Sequence, residues 1–106
     1  MDITLENDER KIKPAIPSLE CDDMLNEALE YLAKRSLKQA QIMHEQFRKI
    51  LKTLERQPGI GKKYSLGLRR IKLGKFRYHV YYRETEDMVK IVGIWHTSQG
   101  TDFEEK

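Results

Sequence analysis

Between Leu66 and His96 the chain reads LGLRRIKLGKFRYHVYYRETEDMVKIVGIWH, in which apolar and aromatic residues alternate with Arg, Lys and His. Side chains alternate between faces along a strand, so Phe76, Tyr78, Val80 and Tyr82 share one side and Arg77, His79 and Tyr81 the other. The pattern predicts three consecutive antiparallel strands. Gly74-Lys75 suits a two-residue type II′ hairpin turn, which would pair Leu73 with Phe76, Lys72 with Arg77, Ile71 with Tyr78 and Arg70 with His79. A second turn over Glu84 to Asp87 would pair Arg83 with Met88, Tyr82 with Val89, Val80 with Ile91, Tyr78 with Gly93 and Phe76 with Trp95. That register gathers Arg70, Lys72, Arg77, His79 and His96 on one face; a slip of one residue would undo it. Arg69 falls on the apolar side, at the rim.

The rest of the chain supplies a cover for the apolar side. Met24, Leu25, Ala28, Leu29 and Leu32 recur at helical spacing after Asp22 or Asp23, either of which can cap a helix that ends near Arg35. Ser36 can cap a second helix over Leu37–Arg56, with Ala40, Met43, Phe47, Ile50, Leu51 and Leu54 on one stripe. Gln57-Pro58-Gly59-Ile60-Gly61 stops it. Upstream, Lys11–Ser18 looks extended, but Pro14 and Pro17 each remove a ladder donor and confine it to an edge. The expected architecture is α+β, a helical hairpin packed on one face of an antiparallel sheet in the order β-α-α-β-β-β. Residues 11–99 form the single domain, preceded by an acidic arm at residues 1–10 and followed by a polar tail at 100–106.

Composition removes several function classes. One cysteine, Cys21, leaves neither an intramolecular disulfide nor a Cys-based zinc site, and nothing around it activates a thiol. The acidic start is no secretory leader, and no apolar segment approaches the ~20 residues that span a bilayer, so a cytoplasmic protein without membrane contact is expected. Pro58-Gly59-Ile60-Gly61-Lys62 lacks the preceding strand and spacing of a phosphate-binding loop. His44 stands mid-helix with no partner at ligand spacing, and His79 and His96 have no acidic third ligand on their face, so neither metal nor cofactor is expected.

Charge points elsewhere. From Arg48 to Arg77 there are eleven Lys or Arg and one acid, Glu55, a local +10 that leaves −7 for the remainder of a chain of net charge +3. Such a block is an electrostatic footprint for polyanions, and it makes Lys62, Lys63, Arg69 and Lys72 candidate nucleic-acid or target contacts, with His79 and Tyr81 beside them. Arginine contacts phosphate oxygens in pairs and lysine adds point charge. A histidine with ordinary pKa ~6.5 can move protons. Metal-independent RNA cleavage needs a base for the 2′-hydroxyl, a cation for the phosphorane and an acid for the leaving oxygen. Arg77 could stabilise the charge, His96 or His79 could move the protons, and Tyr81 could stack a base. The alternative is a basic face occupied by a protein partner.

Order and spacing of the pieces carry a resemblance. The P-G-x-G exit of the second helix, G-L-R before a strand, F-R-Y-x-V-Y-Y-R in the next and V-x-I-V-x-I-W-H in the last make Leu19–Gln99 similar to the RelE/ParE superfamily of bacterial toxin-antitoxin toxins. The resemblance implies the helical-hairpin-on-sheet fold, a cognate antitoxin that wraps the toxin, and assembly as a homodimer or toxin-antitoxin hetero-oligomer. It also implies one of two targets. RelE-like members cut ribosome-bound mRNA without metal, and Arg77 matches their strand arginine, Arg70 one of their strand lysines. ParE-like members poison DNA gyrase. The Y-Y-R … I-W-H style resembles ParE-like and plasmid-stabilisation proteins more closely. In place of the tyrosine or arginine that many RelE-like nucleases carry after the last strand, this chain has Thr97, Ser98 and Gln99, with His96 at the strand end. It also lacks the Arg-rich ending common in ParE-like proteins, and its acidic N-terminal arm departs from both groups. A DNA-gyrase toxin is therefore the leading expectation, an mRNA endonuclease the second and a non-toxic partner-binding relative the third.

Overall fold

The computed structural model describes residues 12–97, so the expected arm at 1–10 and tail at 100–106 lie outside the described residues. Along the chain come β1 (Ala15–Pro17), α1 (Leu19–Ala33), α2 (Leu37–Arg56), β2 (Lys62–Lys63), β3 (Arg69–Lys72), β4 (Tyr78–Glu84) and β5 (Val89–His96). The strands form one sheet in the order β1-β5-β4-β3-β2. The α+β architecture is the expected one. The sheet is mixed rather than wholly antiparallel, because β1 lies parallel to β5. Pro14 and Pro17 hold β1 at the edge: the ladder is closed by Val89 donating to the Pro14 carbonyl and Ser18 to the Ile91 carbonyl.

Ser18, not Asp22 or Asp23, caps α1; its Oγ accepts from the Cys21 amide at 3.0 Å. The first turn escaped the apolar periodicity because Leu19 is 81 % exposed. Ser36 caps α2 as expected, with Oγ accepting from the Gln39 amide at 3.2 Å. Ala40, Met43, Phe47, Ile50 and Leu54 of α2 are buried. All but Ala40 pack with Cys21, Leu25 and Ala28 of α1 against Val80, Tyr82, Val89, Ile91 and Ile94 of the sheet. Burial pushes the Cys21 thiol up to about 12, with Asp22 adding a smaller upward push, so it is a core residue without nucleophilic character.

Registers differ from expectation in an instructive way. The first turn does form around Gly74-Lys75: Phe76 donates to the Leu73 carbonyl at 3.0 Å and Gly74 has φ +52°. The ladder resumes two residues later, however, with Leu73 donating to the Tyr78 carbonyl, so Phe76 and Arg77 belong to the turn. Arg70 pairs with Tyr81, Ile71 with Val80 and Lys72 with His79. A shift of two preserves facing. The β4–β5 hairpin closes at Thr85 and Met88, whose Thr85 hydroxyl accepts from the Met88 amide at 3.1 Å, giving Tyr82 with Ile91 and Arg83 with Lys90. Beyond Tyr82 a β-bulge leaves Val92 as an extra residue: Tyr81 pairs with Gly93, His79 with Trp95 and Tyr78 with His96. The extra residue reverses facing for the end of β5. Trp95 therefore joins His79 on the face away from the helices, and His96 joins Tyr78 on the helix side, the reverse of the expected placement.

Candidate functional site

The face of the sheet not covered by helices carries Lys62, Arg70, Lys72, His79, Tyr81, Arg83 and Lys90 at its paired positions. None of these is an acid. In its middle lies a small second core, Leu68, Tyr81 and Val92, buried to 2 %, 3 % and 7 % exposure, with Tyr64 and Trp95 packed against it. Leu68 reaches the sheet because Ser65–Leu68 closes a turn (Leu68 to the Ser65 carbonyl, 3.2 Å), with Leu66 and Gly67 at φ +65° and +73°. A left-handed leucine costs roughly 1–2 kcal/mol, offset by what Leu68 buries. The Arg70 guanidinium lies 5.0 Å from the Tyr64 ring centroid and donates to the Tyr81 hydroxyl at 3.5 Å, while Tyr64 and Tyr81 meet edge to face at 5.2 Å. Tyr81, expected to offer a ring for stacking, is instead spent inside this cluster.

The sequence candidates thus separate into two groups, one on the open face and one, Arg77 with His96, lining a cavity of about 270 Å³ on the helix side. Arg70, Lys72 and His79 come together on the open face, with Lys62 opposite Arg70. Arg77 lies exposed in the β3–β4 turn, and its carbonyl accepts from Thr97 at 2.8 Å. His96 meets Tyr78 edge to face at 4.9 Å and lines a groove of about 640 Å³ between α1 and the sheet, with Met24, Glu27 and Tyr31 opposite. Burial raises the Tyr78 phenol, helped by Tyr31 and Glu27. The expected set of Arg70, Arg77 and His96 is not assembled: the bulge at Val92 sends His96 to the other face. Gly93 within a strand-like run was the one signal for that bulge.

Arg69 has a structural task. On the helix-side rim its Nη1 donates to the carbonyls of Gly61 at 2.8 Å and Gly59 at 3.2 Å. The same loop is held from within by Tyr82, whose hydroxyl donates to the Pro58 carbonyl and accepts from the Gly61 amide, both at 2.8 Å. Burial raises the Tyr82 phenol above its ordinary value, which keeps the hydroxyl a donor. A Cβ on Gly61 would fall 2.9 Å from the Arg70 carbonyl and closer still to the Tyr82 hydroxyl. The P-G-x-G segment is therefore a latch, anchored at the buried Gly61. Lys63 is exposed at the β2 edge, opposite Arg69.

His79 sits among cations. Burial lowers its proton affinity, and Arg70 and Lys72 lower it further. Among the described residues no group of three or more His, Cys, Asp or Glu could hold a metal ion, and no helix is long and apolar enough to cross a membrane.

Residues 18–100 match the family model of the ParE toxin of the type II toxin-antitoxin system parDE. The chain belongs to the ParE toxin family. It is accordingly a type II toxin of the RelE/ParE superfamily. A solved structure of the chromosomal ParDE TA system from P. aeruginosa is similar in fold, with a TM-score of 0.71, 14 % sequence identity, and coverage of 83 % of this chain and 99 % of that one. Among curated proteins none matches the chain in sequence. In this ParE-family chain, the P-G-x-G, G-L-R and Y-Y-R pieces turn out to be the latch, the lead into β3 with its rim arginine, and the tyrosine that closes the latch.

Proposed function

We propose that this ParE-family toxin arrests growth by acting on DNA gyrase, in the cytoplasm, and is neutralised by a cognate antitoxin. The observation that supports a protein target over RNA cleavage is the dispersal of the nuclease candidates. A scissile phosphodiester needs base, acid and cation all within reach of its own reacting atoms, yet Arg70 lies on the open face while His96, which lines a cavity with Arg77, lies on the helix side. Purified toxin added to gyrase and relaxed plasmid is expected to block supercoiling or trap cleaved DNA, and its antitoxin to reverse the effect. The competing reading is a ribosome-dependent mRNA endonuclease. It would prevail if supercoiling were untouched while primer extension after in vitro translation gave new mRNA ends that vanish with Arg77→Ala. Failure of both assays, with normal growth on expression without antitoxin, would leave a partner-binding relative.

A further inference from the structure

The cations of the open face have no place in the gyrase reading, and their surroundings narrow what they can bind. Lys62, Arg70 and Lys72 lie on adjacent strands with His79 across from Lys72. Neighbouring strands are about 4.8 Å apart and alternate residues roughly 7 Å apart, so four basic side chains share a small area with no carboxylate at the paired positions of that face among the described residues. Burial lowers the proton affinity of His79, and Arg70 and Lys72 beside it lower it further. Unneutralised like charge of this density costs stability unless an anion relieves it.

Two further observations select the anion. Protein partners are held by apolar anchors that enter pockets, but Leu68, Tyr81 and Val92 are already closed over by their own neighbours. An acidic peptide would find charge there without an anchor. Single-stranded nucleic acid is held largely by bases stacking on aromatic faces. Here the rings are engaged internally: Tyr64 lies under the Arg70 guanidinium and edge-on to Tyr81, and Trp95 packs on the small core. What remains on offer is positive charge, with Arg70 held in place by Tyr64 and Tyr81. A duplex backbone asks for that alone.

We propose that the open face of the sheet is a sequence-independent binding site for the phosphodiester backbone of duplex DNA, built from Lys62, Arg70, Lys72 and His79. The test contains no gyrase, so it and the gyrase reading can fail separately. Fluorescence anisotropy of the full chain with a labelled DNA duplex of about 20 base pairs is expected to show binding that survives scrambling of the sequence. The three cationic contacts, from Lys62, Arg70 and Lys72, predict a loss of roughly 40-fold in affinity between about 50 and about 200 mM salt. Lys62→Ala with Lys72→Ala, both exposed positions, should flatten the slope of log affinity against log salt by about 1.8; Arg70→Ala should flatten it by about 0.9. Lys49→Ala with Lys52→Ala, on the outer side of α2, should leave both affinity and slope unchanged. The proposal is overturned by a salt-independent or absent interaction with duplex, or by sheet-face variants that bind as well as the parent while the α2 variants do not. A tenfold preference for single-stranded RNA would return the face to the endonuclease reading. Displacement of duplex by polyglutamate at lower charge concentration than by unlabelled DNA would assign the face to an acidic protein.

Discussion

The two faces of the sheet are built from the same strands by opposite rules. The helix side is a continuous apolar layer with Arg69 and His96 at its rim; within it Tyr82 and Tyr78 carry polar groups, and the Tyr82 hydroxyl is satisfied by Pro58 and Gly61. The outer side has, among the described residues, a small core of Leu68, Tyr81 and Val92 set among cations. A face that must exclude water cannot spare positions for charge, and a face that must attract a polyanion cannot be covered. The comparison separates residues by task even when they are neighbours in sequence: Arg69 and Arg70 are adjacent, yet one fastens a loop and the other belongs to the open face.

Substitutions that hollow each core measure how unequal the faces are. Phe47→Ala removes a ring from the centre of the helix-side layer, where it is 3 % exposed, and is expected to cost about 3–5 kcal/mol by chemical denaturation. Leu68→Ala on the outer side should cost about 2 kcal/mol, at the low end for a buried leucine, because a thin surface cluster can collapse into the gap. Equal losses would mean that the outer cluster is as integral to folding as the main layer, and the division drawn between the faces would fail.

The latch gives the next largest effect. Tyr82→Phe leaves the Gly61 amide and the Pro58 carbonyl without their buried partner, for an expected loss of about 1–3 kcal/mol. Gly61→Ala overpacks the same point, with a similar expected loss. If the two operate through one contact, the double variant should fall well short of the sum of the singles; full additivity would show that they do not. On the rim, Arg69→Ala should lower stability by about 1 kcal/mol without changing duplex binding. Arg70→Ala should do the reverse, with only a small change in melting temperature.

Much of this was legible in the chain. Ser36, the helical stripe and the Pro-Gly exit placed α2 at its observed bounds, because cap, periodicity and breaker agree there. α1 was read late, since Asp22 and Asp23 are as good as Ser18 at capping and Leu19 adds nothing to the buried stripe. Facing was correct for Arg70, Lys72, His79 and Val80, although each hairpin register was off by two, because a shift of two leaves alternation intact. Facing failed at His96 and Trp95, where Ile91-Val92-Gly93-Ile94 is apolar without alternation and hides an extra residue. The outer cluster was illegible for a different reason: Leu68 reaches the sheet through a left-handed Leu66, a conformation that a leucine does not advertise.

The smallest expected effect is the one that tests the charge of the outer face without any ligand. On that face, the groups against His79 are Arg70 and Lys72 on β3, Tyr81 on its own strand and Trp95 on β5, with no carboxylate among them. Its folded proton affinity is below that of the unfolded chain, whose imidazole titrates near ~6.5. Between those two values the unfolded state binds more protons, so stability rises with pH through that window. The contribution is therefore complete above about 6.5 and is lost as pH falls through the folded value. His79→Gln removes the titration, so the parent and the variant should differ in the slope of stability between pH 7 and about 5, the parent falling more steeply. Saturating duplex DNA should reverse the sign of the shift, because phosphates beside His79 favour the imidazolium; its ring resonances followed by NMR would then titrate above their free-protein midpoint. An unchanged midpoint in the presence of bound duplex would place the DNA somewhere other than the open face.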